Sequence, residues 1–225
     1  IQNDLEKALN YYNKALKLNS NSFVLLNNIG LVYLAVNQFE NAISFFSKSL
    51  QINRNYINAL INRSVCFNKL NNYNDAIKDC EKIIKLDPKF ASAYNNLGWA
   101  YHIKGNNEKA ITNYKIALEL QPNYLDTINN LGGAYFNLGD KKLAAEYFKK
   151  SLEIDPQNTE TFRSLVLNKG IDIKDIRVSQ FSNLYTENEK KLESYKHKPI
   201  PKNFIDSHSS LCFALGYLND NEKNY

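Results

Sequence analysis

Methionine is absent from this sequence, even at position 1, so Ile1 is not expected to be a natural start and the chain is expected to be a piece of a longer protein. The three cysteines, Cys66, Cys80 and Cys212, have no C-x-x-C spacing. An odd number without a secretion signal argues for reduced thiols. Long apolar runs are missing too. The longest, such as Phe23-Val24-Leu25-Leu26, fall far short of the roughly 18 apolar residues in a row that a membrane helix needs. With no signal peptide visible and a mean hydropathy of −0.48, the expectation is a soluble, cytoplasmic protein with no membrane partner. The formal charge is +5, yet Lys and Arg lie among Asp and Glu and nowhere form a dense basic run, so no nucleic-acid partner is implied.

Catalytic patterns are missing as well. His102, His197 and His208 are scattered, and no H-E-x-x-H, G-x-S-x-G, phosphate loop or dinucleotide fingerprint occurs. No catalytic residue, cofactor or metal site is expected. Asn62-Arg63-Ser64 matches a glycosylation sequon, but it falls in a helical pattern without a secretory signal.

What is present is a repeat. Asn28, Asn62, Asn96 and Asn130 stand at intervals of 34 residues, and a period of that length marks a helix-pair solenoid. A frame opened at Phe23 gives four gapless copies, 23–56, 57–90, 91–124 and 125–158. The eighth position reads Gly30, Ser64, Gly98, Gly132, and the twentieth reads Ala42, Ala76, Ala110, Ala144: small residues where two helices must approach closely. The eleventh is aromatic throughout, as Tyr33, Phe67, Tyr101 and Tyr135, and the twenty-fourth is Phe46, Cys80, Tyr114 and Phe148, filling the space around the contact. The thirty-second is Arg54, Pro88, Pro122 and Pro156, and proline suits a helix end because it donates no N–H and restricts the residue before it. Each half has helical spacing, with Leu97 and Tyr101 leading into Gly105, then Ala110, Tyr114 and Ala117. Neither helix can bury its apolar stripe alone, so neighbours must stack.

These residues resemble the tetratricopeptide repeat. The segment from Ala93 through Asn96-Leu97-Gly98 to Tyr101, followed by Ala110, Tyr114, Ala117 and Pro122, is close to that family's consensus. Arg63 and Ser64 replace its Leu-Gly in the second copy, and Ser20 and Arg54 replace proline. The resemblance implies an all-α fold, a right-handed superhelical solenoid of antiparallel helix pairs. Ala8, Tyr12 and Ala15 fit the second half of a preceding repeat, so 1–22 is expected to be a truncated repeat. Downstream, 159–168 is expected to be a capping helix, 169–206 an irregular helical linker, and 207–225 the start of a further truncated repeat.

In this family first helices line a concave groove, which implies that Asn28, Asn62, Asn96 and Asn130 form a ladder along its floor. A carboxamide carries both a donor and an acceptor, as the backbone of an extended peptide requires; the alternative is that the asparagines bond between adjacent helices. Asn27, Asn95 and Asn129 add neighbouring carboxamides, and Trp99, His102 and Phe136 are candidates for side-chain pockets. The expected ligand is a protein or peptide segment. The family's carboxylate clamp needs cations at first-helix positions, and the fifth positions here are Asn27, Ile61, Asn95 and Asn129, so no clamp is expected. The phrase Ser210-Leu211-Cys212-Phe213-Ala214-Leu215-Gly216 is similar to the interrupted repeat before the catalytic domain of bacterial repeat-containing sulfotransferases, and to a segment in glycosyltransferase relatives. The alternative function is therefore a substrate-recruiting arm of such a transferase.

Overall fold

The computed structural model describes residues 2–155 and 158, with side chains from Lys7 onward. Among the described residues there are nine α-helices and no strands. The chain divides into two compact units, Ile1–Pro122 and Asn123–Tyr225. The first holds α1 (Gln2–Leu18), α2 (Phe23–Ala35), α3 (Phe39–Ile52), α4 (Ile57–Lys69), α5 (Tyr73–Leu86), α6 (Ala91–Ile103) and α7 (Asn107–Leu120). The second holds α8 (Leu125–Asn137) and α9 (Lys141–Ile154). The expected capping helix, linker and final half-repeat, at 159–168, 169–206 and 207–225, lie outside the described residues.

Each turn inside a helix pair has a residue in the left-handed region: Asn37 at φ 59°, Asn71 at φ 60°, Gly105 at φ 81° and Gly139 at φ 83°. Glycine reaches that region without a Cβ clash, and asparagine is the side chain that tolerates it best. The helix that follows is capped where the chemistry allows. Asn106 accepts from the Lys109 N–H at 3.1 Å and Asp140 from the Leu143 N–H at 3.0 Å, each satisfying one orphan donor of a first turn. At the other end proline is dispensable. Asn53 Oδ1 accepts from the Asn55 N–H at 3.1 Å, just as Asp87 Oδ1 accepts from the Lys89 N–H at 3.0 Å. This Asx turn stops α3 beside Arg54 as it stops α5 beside Pro88.

Close packing within each pair follows from one steric exclusion. A Cβ added to Gly30 would sit 2.5 Å from the Phe46 ring, one added to Gly98 2.6 Å from Tyr114, and one added to Gly132 2.7 Å from Phe148. The missing methyl is the space the ring fills, and a buried aromatic of this size contributes about 2–3 kcal/mol by leaving water. The second repeat solves the same contact differently. Ser64 supplies side-chain volume where the others have glycine, and Cys80 gives it back where they have a ring; both are fully buried.

The core of the first unit is continuous across repeats. Phe46 and Leu50 of α3 pack with Leu60 and Cys66 of α4, Ile83 of α5 and Ala93 of α6. Ala42, Ala76 and Ala110 are completely buried within their pairs, and Ala144 is so in the second unit. In the first unit α2 touches α4 and α4 touches α6, besides the packing of each on its own partner helix. Consecutive first helices thus form one wall.

Candidate functional site

That wall is made by α2, α4 and α6, whose outward residues are set by their rotation about the helix axis. Leu26, Ile29 and Gly30 of α2, and Ala93, Leu97 and Gly98 of α6, point into the core. Asn28, Asn62 and Asn96 are half-exposed. One residue earlier is about 100° away on a helix, and this rotation decides the fate of the neighbours. Asn27 is 3% exposed and Asn95 7%. They are withdrawn from solvent, unlike the carboxamides expected along the groove, whereas Ile61 and Asn129 at the same fifth position are half-exposed.

Carboxamides, two of them buried, tie the wall together. Asn62 Nδ2 donates to Asn27 Oδ1 at 3.2 Å, joining α4 to α2. Asn96 Nδ2 donates to Ser64 Oγ at 3.4 Å, joining α6 to α4, and Asn68 Nδ2 donates to the Asn96 carbonyl at 3.4 Å. Asn95 Nδ2 reaches Asn96 Oδ1 at 3.4 Å. Asn28 makes no side-chain hydrogen bond to any described residue and is half-exposed.

Beside these amides stands apolar surface. Trp99 is 37% exposed, with the His102 ring 6.0 Å from its own and tilted by 39°. His102 Nδ1 lies 2.8 Å from Asn107 Oδ1, which fixes the ring's orientation. Leu31 is 39% exposed on α2, a residue the sequence reading passed over although it shares the frame position of Trp99. In the second unit, taken by itself, α8 carries Asn129 and Asn130 half-exposed and Phe136 exposed.

The sequence reading also passed over an ion pair. Arg63 stands where the other repeats have Ile29, Leu97 and Leu131, and it grips Asp79 with two nitrogens: Nε to Oδ2 at 2.8 Å and an Nη to Oδ1 at 2.7 Å. Its other Nη donates to Ser47 Oγ at 2.9 Å, and its guanidinium lies 5.6 Å from the centre of the Phe67 ring. The departure from Leu-Gly was visible; its partner sixteen residues on was not.

Neither cysteine described is poised to react. Burial pushes the Cys66 thiol up to about 11 and the Cys80 thiol up to about 12, and thiolate is the reactive form. Among the described residues no group of three His, Cys, Asp or Glu side chains could hold a metal ion, and no helix is long and apolar enough to cross a membrane.

Comparison with known families bears directly on this helix-pair geometry. A model described as tetratricopeptide repeat matches residues 23–56 and 57–90, a second of that description matches 89–157, and a repeat model of the same kind matches 1–37. The chain belongs to the tetratricopeptide repeat family. Its fold is the all-α solenoid of that family. No curated relative matches the chain. Among solved structures, MamA from Desulfovibrio magneticus RS-1 is 27% identical over 68% of this chain and 87% of its own, with a TM-score of 0.63. A thermophilic repeat protein from Thermus thermophilus is 20% identical over 86% of this chain and 99% of its own, at a TM-score of 0.62. The first repeat domain of Spaghetti (RPAP3), bound to an HSP90 peptide, is 24% identical over 54% of this chain and 96% of its own, at a TM-score of 0.51. The last two likenesses concern the fold alone. The likeness to sulfotransferases and glycosyltransferases gains no support from any homologue, and the phrase that suggested it, Ser210 to Gly216, lies outside the described residues.

Proposed function

We propose that this chain is a protein-interaction module and that the wall of α2, α4 and α6 is where a protein or peptide segment docks. The observation that carries the reading is the half-exposed row Asn28, Asn62 and Asn96 on touching helices, with exposed Trp99 beside it. His102 steadies one side of Trp99. In the second unit α8 offers Asn129, Asn130 and Phe136 for contacts of the same kind. Peptide binding by the fold relative from Spaghetti supports the class of ligand.

The amides have two duties, and they divide by position. Asn62 and Asn96 already spend a donor on neighbouring helices, whereas Asn28 keeps its whole carboxamide for a ligand. Each such bond nets roughly 0.5–1.5 kcal/mol, while ordering a peptide costs about 1–2 kcal/mol per residue. Apolar contact at Trp99 therefore has to supply much of the affinity.

The test is selection of binding peptides on the intact chain, followed by calorimetry of the best binder. Asn28→Ala is expected to weaken binding severalfold with an unchanged melting temperature. Asn62→Ala leaves Asn27 Oδ1 buried without its donor, and is expected to cost about 1–3 kcal/mol of stability. Should Asn28→Ala bind as well as the parent, the asparagines have only the structural duty.

A further inference from the structure

Charge is distributed unevenly between the two kinds of helix. α2 and α6 contain no Asp, Glu, Lys or Arg, and α4 contains Arg63 and Lys69 alone. The partner helices hold more: Glu40 and Lys48 in α3, Asp75, Lys78, Asp79, Glu81, Lys82 and Lys85 in α5, and Glu108, Lys109, Lys115 and Glu119 in α7. Arg63 brings no net charge to the wall, because the Asp79 carboxylate accepts from two of its nitrogens and Ser47 Oγ from the third. Lys69 stands in the last turn of α4. A charged side chain laid on the middle of this wall would lose water and find no counter-charge, a cost of several kcal/mol in an apolar setting. The wall selects against charge of either sign.

Its apolar groups are regularly placed. Leu31, Val65 and Trp99 occupy one repeat position on α2, α4 and α6, with Leu31 and Trp99 exposed and Val65 half-buried. Helices in direct contact lie about 8–10 Å apart, so side chains at one repeat position on the touching helices α2, α4 and α6 are expected to step at about that interval. A β-strand cannot present matching side chains, since it rises about 3.3 Å per residue and every third residue faces away. A polyproline II segment can. It has three residues per turn and rises 3.1 Å per residue, so every third side chain returns to one face after about 9 Å. Its backbone makes no internal hydrogen bonds, which leaves its carbonyls and N–H groups free for carboxamides such as Asn28.

We propose that the first unit recognises an uncharged segment in the polyproline II conformation, carrying an apolar side chain at every third residue and laid across Leu31, Val65 and Trp99. The proposal rests on the docking face proposed above and names the chemistry of its occupant.

Trp99 is the one tryptophan of the chain, so its fluorescence reports on this face alone. The intact chain is titrated with four acetylated, amidated nonapeptides that lack tryptophan. The first is three Leu-Pro-Gln triplets; the second has the same composition with leucines at alternate residues; the third and fourth replace Gln by Glu and by Lys. The first is expected to bind roughly tenfold or more tighter than each of the others, with less than about a twofold change between low and high salt because no ion pair forms. Trp99→Ala, followed by calorimetry, is expected to abolish that preference. Equal binding of the second peptide would overturn the three-residue phase, and equal or tighter binding of either charged peptide would overturn the selection for neutrality, with docking on this face left standing. If Asn28→Ala fails to weaken selected binders and none of the four peptides perturbs Trp99, the docking face falls and this inference with it.

Discussion

Tyr114 lies fully buried against Gly98, in the place that Phe46 and Phe148 hold against Gly30 and Gly132. Unlike those rings it brings in a hydroxyl, and that hydroxyl has no hydrogen-bond partner among the described residues. Burial pushes its pKa well above the ordinary tyrosine value. An orphaned buried hydroxyl costs about 1–3 kcal/mol, so Tyr114→Phe is expected to raise stability by about 1 kcal/mol, measured as a shifted urea midpoint with an unchanged slope. A loss of stability would show that the hydroxyl finds a partner after all. The aromatic at this position was legible from the repeat frame, because a ring must face each missing Cβ. Its unpaired oxygen was not, since pairing depends on what every neighbouring helix points toward it. The same holds for Asn27 and Asn28, adjacent and identical in sequence, one buried and bonded, the other open.

At the scale of the helix pair, the second repeat is the informative one. In the first repeat Tyr33 stacks on Phe45 at 5.3 Å, and in the fourth Tyr135 stacks on Tyr147 at 5.6 Å. In the second, Asp79 takes the place of the inner ring, and Arg63, held by that carboxylate, covers Phe67 instead. Two departures from the consensus are therefore one exchange, polar for apolar on both helices of the pair. Asp79 is buried and the Arg63 side chain largely so. Breaking such a pair from one side leaves an uncompensated charge, and Asp79→Ala is expected to destabilise by about 3–5 kcal/mol. Replacing both partners with what the first repeat uses, Arg63→Ile with Asp79→Phe, is expected to be neutral or stabilising by about 1–4 kcal/mol. Denaturant melts of the single and double variants decide this; a double variant as unstable as the single one would mean the repeat cannot accept the apolar solution. The sequence marked Arg63 and Ser64 as odd, but what compensates them lies on the next helix, beyond any local pattern.

For the molecule as a whole, the buried thiols and phenol set an alkaline limit. Cys66 and Cys80 start from an ordinary 9.0 and are raised to about 11 and about 12 by burial, and Tyr114 is raised in the same sense. Above pH about 9 the unfolded chain loses these protons while the folded one keeps them, so the unfolded state is favoured progressively. Stability is full below that pH and falls as pH rises toward the folded values. Melting temperature measured between pH 8 and pH 11 is expected to drop, and a flat profile would contradict the burial of these groups. Much of the architecture was legible beforehand, because a repeat imposes one solution many times: the 34-residue interval, the small residues facing rings and the positions that turn left-handed all recur. The sequence by itself determined the all-α helix-pair family, since a 34-residue period with small residues facing rings lets each amphipathic helix bury its stripe on a neighbour. The tertiary structure alone decided which carboxamides remain open, which charge is already taken and which apolar groups are exposed, because these depend on about 100° of helix rotation and on contacts between helices.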